Sequence, residues 1–121
     1  MSVDPTGPDL KRFLEDDPDG EVVMLNLLRF KSDGGRERYA EYARAIVPFL
    51  ERVGGSVVYV GDTGSALVTP DAHEWDAVLL VRYPSRRAFC AMVADPDYQV
   101  ITHLRTEALD AAVLQPTSAR T

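Results

Sequence analysis

Residues Val22 to Phe30 read VVMLNLLRF, and the reading of this stretch decides the fold. A run of large aliphatic residues bounded by Gly20 on one side and Asp33-Gly34-Gly35 on the other is a strand expected to be buried on both faces. At its centre stands a carboxamide, Asn26. A buried amide without partners costs about 1–3 kcal/mol. Asn26 is therefore either satisfied by the fold or turned towards a cavity, and the second case would be functional.

Downstream, Tyr39, Tyr42, Ala43, Ile46, Leu50 and Val53 recur at three- and four-residue steps and predict a helix, kinked by Pro48 and ended by Gly54-Gly55. Ser56 to Val60 predicts a second strand, interrupted by Gly61-Asp62-Thr63-Gly64 and resumed over Ala66 to Thr69, as a bulged strand or a small hairpin. Trp75 to Tyr83 is a third strand. Ser85 caps a helix through Ala88, Phe89, Met92 and Val93, which Asp95-Pro96 breaks. A further helix from about Tyr98 to Leu109 carries Tyr98, Ile101, Arg105, Ala108 and Leu109 on one side, and Ala111 to Gln115 makes the last strand. Upstream, Thr6 and Pro8 open a short helix with Leu10, Phe13 and Leu14 as its stripe, stopped by Pro18 and Gly20.

The order strand, helix, strand, strand, helix, strand is that of an α+β, ferredoxin-like βαββαβ fold: a four-stranded antiparallel sheet with its helices on one face. One domain spans 1–121, with a helical extension at 6–17, a core at 21–116 and a polar tail at 117–121. Such a sheet leaves its other face bare. About eight large apolar side chains there, each worth ~1.5–3 kcal/mol on burial, rival the ~5–15 kcal/mol net stability of a domain. A second copy packed sheet to sheet, as a dimeric α/β barrel, is the economical cover.

Alternation sorts each strand into two sets of side chains. In the first strand Val23, Leu25 and Leu27 are uniformly apolar, whereas Met24, Asn26, Leu28 and Phe30 include the amide. In the third, Trp75, Ala77, Leu79, Val81 and Tyr83 are uniform, whereas Asp76, Val78, Leu80 and Arg82 carry charges at both ends. The uniform sets suit the helices and the mixed sets suit a cavity at the partner. This reading places Asn26, Asp76 and Arg82 in a cavity between protomers, walled by Met24, Leu28, Phe30, Val78 and Leu80, with Tyr59 and Gln115 as further candidates.

The stretches VVMLNLLRFK, WDAVLLVRYPSRRAFCAMVADPDYQ and HLRTEAL resemble the bacterial family called domain of unknown function 1330, within the dimeric α/β-barrel superfamily. The resemblance runs from about Val22 to Gln115. It implies a ferredoxin-like protomer whose sheet pairs with a second one, and no particular activity. The wider superfamily includes cofactor-free monooxygenases, lactone isomerases, polyketide cyclases, haem enzymes and proteins without known chemistry. Arg105 matches an arginine that the family usually carries after its Asp-Pro-x-Tyr segment.

The net charge of -6 and pI near 4.8 argue against nucleic-acid and anionic-membrane partners, which need a basic footprint. No apolar leader interrupts the acidic first twenty residues, and no apolar run is long enough to span a bilayer. The lone Cys90 fits a reducing cytoplasm and a place in the core. Among titratable groups, His103 with Glu107 four residues on is the first candidate for proton transfer, set against an exposed surface pair. His73, in the loop PDAHEWD, is a candidate at the cavity mouth, set against a solvated loop residue. Arg82 and Arg105 offer bidentate donors for a carboxylate or enolate, whereas Arg86 and Arg87 read as surface charges. Tyr98 lines the cavity or anchors its segment, and Tyr39, Tyr42 and Trp75 read as core or interface.

The His and acidic residues match no metal-site spacing, no haem motif is present, and the glycines form no phosphate loop, so no cofactor is expected. The expected function is that of a small-molecule enzyme acting on a hydrophobic or aromatic carbonyl compound, as a cyclase, isomerase, hydrolase or oxygenase. His103, Asn26 and Arg105 are its catalytic groups in this reading. The alternatives are a non-catalytic binding protein and a structural dimer with a filled cavity.

Overall fold

The computed structural model describes residues 3–70 and 74–120. Helix α1 (Gly7–Asp16) is closed by a capping box in which Thr6 and Asp9 exchange side-chain and backbone hydrogen bonds. Strand β1 (Val22–Phe30) then leads to α2 (Gly35–Ala45) and α3 (Val47–Arg52), split at Ile46 because Pro48 restarts the helix at its second position. Strands β2 (Ser56–Asp62) and β3 (Ala77–Tyr83) form the middle of the chain. Helices α4 (Arg86–Ala94) and α5 (Pro96–Ala108) follow, capped by Ser85 and Asp95, and β4 (Leu109–Thr117) ends the fold. The sheet order is β2-β3-β1-β4, antiparallel throughout, which is the ferredoxin-like arrangement. The expected resumption of strand over Ala66 to Thr69 does not occur. Residues 63–70 form no strand, and the irregularity lies instead between Val57 and Tyr59 inside β2.

Pairing register shows which side chains share a face. Met24 lies opposite Val81, Asn26 opposite Leu79 and Leu28 opposite Ala77. This set packs with Tyr42, Phe49, Leu50, Phe89, Met92 and Tyr98 from the helices, so it is the helix-covered face. Leu25 opposite Leu80 and Leu27 opposite Val78 lie on the other face, half-exposed in the single chain. For β1 this reverses the sequence reading. Asn26 sits beneath its own chain's helices and not on the face left bare. For β3 the reading holds, because Ala77, Val81 and Tyr83 are buried there.

A tight knot closes one end of this layer. Gly35 is buried, and a Cβ added to it would lie 2.5 Å from the Ala108 carbonyl oxygen. That oxygen accepts the Lys31 N–H at 2.9 Å, fixing the start of α2 against the end of α5. The close approach of backbones is why glycine stands there.

Candidate functional site

Between sheet and helices lies a cavity of about 590 Å³, with Asn26, Leu28, Tyr39, Tyr42, Tyr98 and Arg105 among its lining. Strand β1 supplies Asn26 and the apolar floor. Asn26 Nδ2 donates to the carbonyls of Met24 and Leu79, both at 3.4 Å, which answers the question its position raises: the main chain takes its protons at long range while the side chain borders open space. Helix α2 supplies Tyr39 and Tyr42 one turn apart, and α5 supplies Tyr98 and Arg105, two turns apart on one face.

Arg105 is the charged centre of the site. Its side chain is only 7% exposed. Nη1 donates to the Val3 carbonyl and, at 2.9 Å, to the Asp4 carboxylate, while Nη2 is buried with no hydrogen-bond partner among the described residues. Asp4 also accepts from the Thr106 hydroxyl at 2.8 Å, so the segment ahead of α1 is latched to α5 at both residues. Beside the arginine, the Tyr42 and Tyr98 hydroxyls are hydrogen-bonded at 2.8 Å. Burial pushes the Tyr39 hydroxyl up to about 12, and burial followed by the neighbouring Tyr98 holds Tyr42 well above the ordinary phenol value. These phenols are neutral hydrogen-bond donors at physiological pH. An exposed Arg36–Asp62 pair at 3.0 Å also borders the cavity.

Of the residues expected at the cavity from the sequence, Met24, Asn26, Leu28, Phe30, Val78, Tyr98 and Arg105 come together here. The others do not. Arg82 lies on the bare face, paired with Glu21 at 2.9 Å, and Leu80 lies beside it. Asp76 accepts the Phe30 N–H at 2.8 Å and thereby extends the ladder between β1 and β3. His73 falls outside the described residues. His103 is 59% exposed, with Nδ1 2.8 Å from the Val100 carbonyl oxygen and Nε2 3.9 Å from Glu107, the surface pair that was its alternative. The catalytic place expected for it is corrected by helix geometry. At 100° per residue His103 stands roughly 140° around α5 from Tyr98, off the stripe that carries Arg105.

Arg86 also departs from the sequence reading. It is buried, 3.4 Å from Asp16 and stacked 4.6 Å from the Phe13 ring, and so ties α1 to α4. Tyr39 and Tyr42 are the site residues that sequence reasoning set aside. Their one-turn spacing was the available signal. Among the described residues no group of three or more His, Cys, Asp or Glu converges as a metal site would need, and no helix is long and apolar enough to cross a membrane.

A ferredoxin-like α+β chain with a cavity between sheet and helices is thus the class of protein defined by fold and site. The sequence model of the family described as Domain of unknown function (DUF1330) matches residues 33–115, and the chain belongs to that family. A protein of unknown function from Rhodopseudomonas palustris is 33% identical, with 99% of this chain and 98% of that one covered and a TM-score of 0.89. A dimeric ferredoxin-like protein of unknown function from Jannaschia sp. CCS1 is similar at 12% identity and a TM-score of 0.63, covering 83% of this chain and 100% of its own. A hydroxynitrile lyase from Passiflora edulis is similar at 13% identity and the same TM-score, over 83% and 94% of the two chains. These last two likenesses are of fold alone. No curated protein matches the chain.

Proposed function

We propose that the cavity binds one small, mainly apolar or aromatic molecule bearing a carbonyl-type oxygen, and that the protein acts on it without a redox cofactor. The observation that carries this reading is the buried Arg105 Nη2, a charged donor without a hydrogen-bond partner among the described residues, on a side chain that lines an otherwise largely apolar space. Buried polar groups are almost always satisfied, and an unpartnered charged donor on a side chain that lines a cavity is accounted for by an oxygen that arrives with a ligand. Negative charge developing on that oxygen would be stabilised by Arg105 and by the neutral phenols, as in the cyclase, isomerase, hydrolase or oxygenase chemistry expected from the sequence. A lyase among the fold neighbours is a precedent for catalysis on this scaffold, and its own activity is not carried over.

A non-catalytic carrier is the second reading, and a specific observation favours it. The carboxylates that border the cavity, Asp4 and Asp62, are both engaged by arginines, and the Tyr39 and Tyr42 phenols are held protonated, so among the described residues no unengaged base borders the cavity. In either reading a second copy covers the bare sheet face, as in the dimeric relatives of this fold, and the lone Cys90 suits a reducing cytoplasm.

Native mass spectrometry of freshly purified protein tests the binding site. One small molecule per protomer is expected, together with saturable binding of small aromatic ketones or acids. Leu114 lies opposite Asn26 on the cavity side, and Leu114→Trp fills the space and is expected to abolish both. Unchanged ligand retention in Leu114→Trp would overturn the assignment.

A further inference from the structure

Resting on the reading of the cavity as a binding site, we infer that its ligand is an organic acid: an apolar body with a carboxylate seated on the Nη2 edge of Arg105. A neutral carbonyl needs a single donor. The site offers a cation whose charge is only partly answered within the protein. Asp4 meets the guanidinium at Nη1, and its side chain is 37% exposed, so water screens the carboxylate far more than the arginine it faces. The guanidinium is also held in orientation. Nη1 is fixed by the Val3 carbonyl and the Asp4 carboxylate, which leaves the other nitrogen as the free prong of a planar fork.

The surroundings add donors in preference to acceptors. Tyr42 and Tyr98 share one hydrogen between their oxygens, which leaves the second hydroxyl hydrogen of the pair available to a ligand. Tyr39 stays protonated nearby. Asn26 spends its Nδ2 on main-chain carbonyls, so its side chain is left with an acceptor, Oδ1, and the donors come from the arginine and the phenols. The other charged groups at the cavity, Arg36 and Asp62, are paired with each other where both are exposed to solvent, and they leave the inner charge balance to Arg105 and Asp4. A buried cation with an unpartnered nitrogen, protonated phenols beside it and an apolar remainder is the complement of a hydrophobic carboxylate.

Matched pairs of acid and primary amide separate this inference from the reading beneath it. Cinnamate with cinnamamide and 2-naphthoate with 2-naphthamide, titrated calorimetrically at neutral pH into the full chain, are the probes. The acid of a pair is expected to bind at least tenfold more tightly than its amide, and Arg105→Met is expected to bring that ratio close to one. Asp4→Asn keeps an acceptor for Nη1 and removes the competing charge. It is expected to tighten the acid several-fold and leave the amide unchanged, and it supplies the readout should Arg105→Met not fold. Equal affinities of acid and amide in the unaltered protein would overturn the inference and leave the cavity a binding site for neutral molecules. Binding of neither member of either pair would overturn both.

Discussion

If two copies pair sheet to sheet as proposed, Leu25→Glu is expected to leave the protein a monomer. Leu25 stands at the middle of the central strand β1 on the face away from the helices, between Leu80 of β3 and Gln115 of β4. With Leu27 and Val78 it belongs to an apolar surface that the protein's own helices leave open. In a sheet-to-sheet pair the substitution brings a carboxylate from each copy into the same dry layer. An unpaired buried ion costs several kcal/mol, and each 1.4 kcal/mol is about tenfold in dissociation constant. Two such ions weaken association by several orders of magnitude. Sedimentation equilibrium reads the result as the 13.4 kDa of one chain in place of twice that mass. Far-ultraviolet circular dichroism should change little, because the altered side chain leaves the helix-side core untouched. Equal masses for the Leu25→Glu and unaltered proteins would contradict the proposed sheet-to-sheet pairing.

Leu28→Ala is expected to produce the largest loss of stability from a single truncation. Leu28 is 1% exposed and packs with Ala77, Ala108 and Leu109 at the closed end of the layer. It also walls the cavity, so the space left by truncation merges with existing space that no neighbour fills. Leucine-to-alanine changes of this kind cost about 2–5 kcal/mol. For a chain of this size that is roughly 10–20 °C in Tm. Denaturant and thermal melts must be compared at one protomer concentration, because association adds to apparent stability. A cost below about 1 kcal/mol would mean that Leu28 does not carry the packing described.

The order of elements was legible because each boundary has a local chemical cause. Thr6 and Ser85 cap α1 and α4, Pro48 divides α2 from α3, and Asp95-Pro96 separates α4 from α5. Arg105 and Tyr98 were legible together through the spacing of α5. Which face of β1 meets the helices was not legible. Alternation yields two sets of side chains, and in this strand the purely apolar set, Val23, Leu25 and Leu27, is the one left outside the protomer. Such a set reads as core in a monomer and as interface in a dimer, and strand sequence alone does not separate the two. The β1–β3 register resolves the choice, since it ties Asn26 to Leu79 and so to a set already placed beneath the helices. His103 stands out by residue type and not by position, and its exposed helix face borders no cavity.

The arginine latch depended on contacts that no local pattern encodes. Val3 and Asp4 reach Arg105 across about a hundred residues of chain, and only the assembled fold brings them together. The pairing of Tyr42 with Tyr98 is equally remote in sequence.

The central claim is that the binding space lies between each chain's own sheet and helices, with Asn26 and Arg105 at its wall. Isotope-filtered nuclear Overhauser spectra of methyl-labelled protein with bound 2-naphthoate test it most directly. Contacts from the naphthyl protons to the methyl groups of Leu28, Leu79 and Met92 are expected. Contacts to Leu25 and Leu80, with none to Leu28 or Met92, would place the ligand on the opposite face of the sheet and contradict the account.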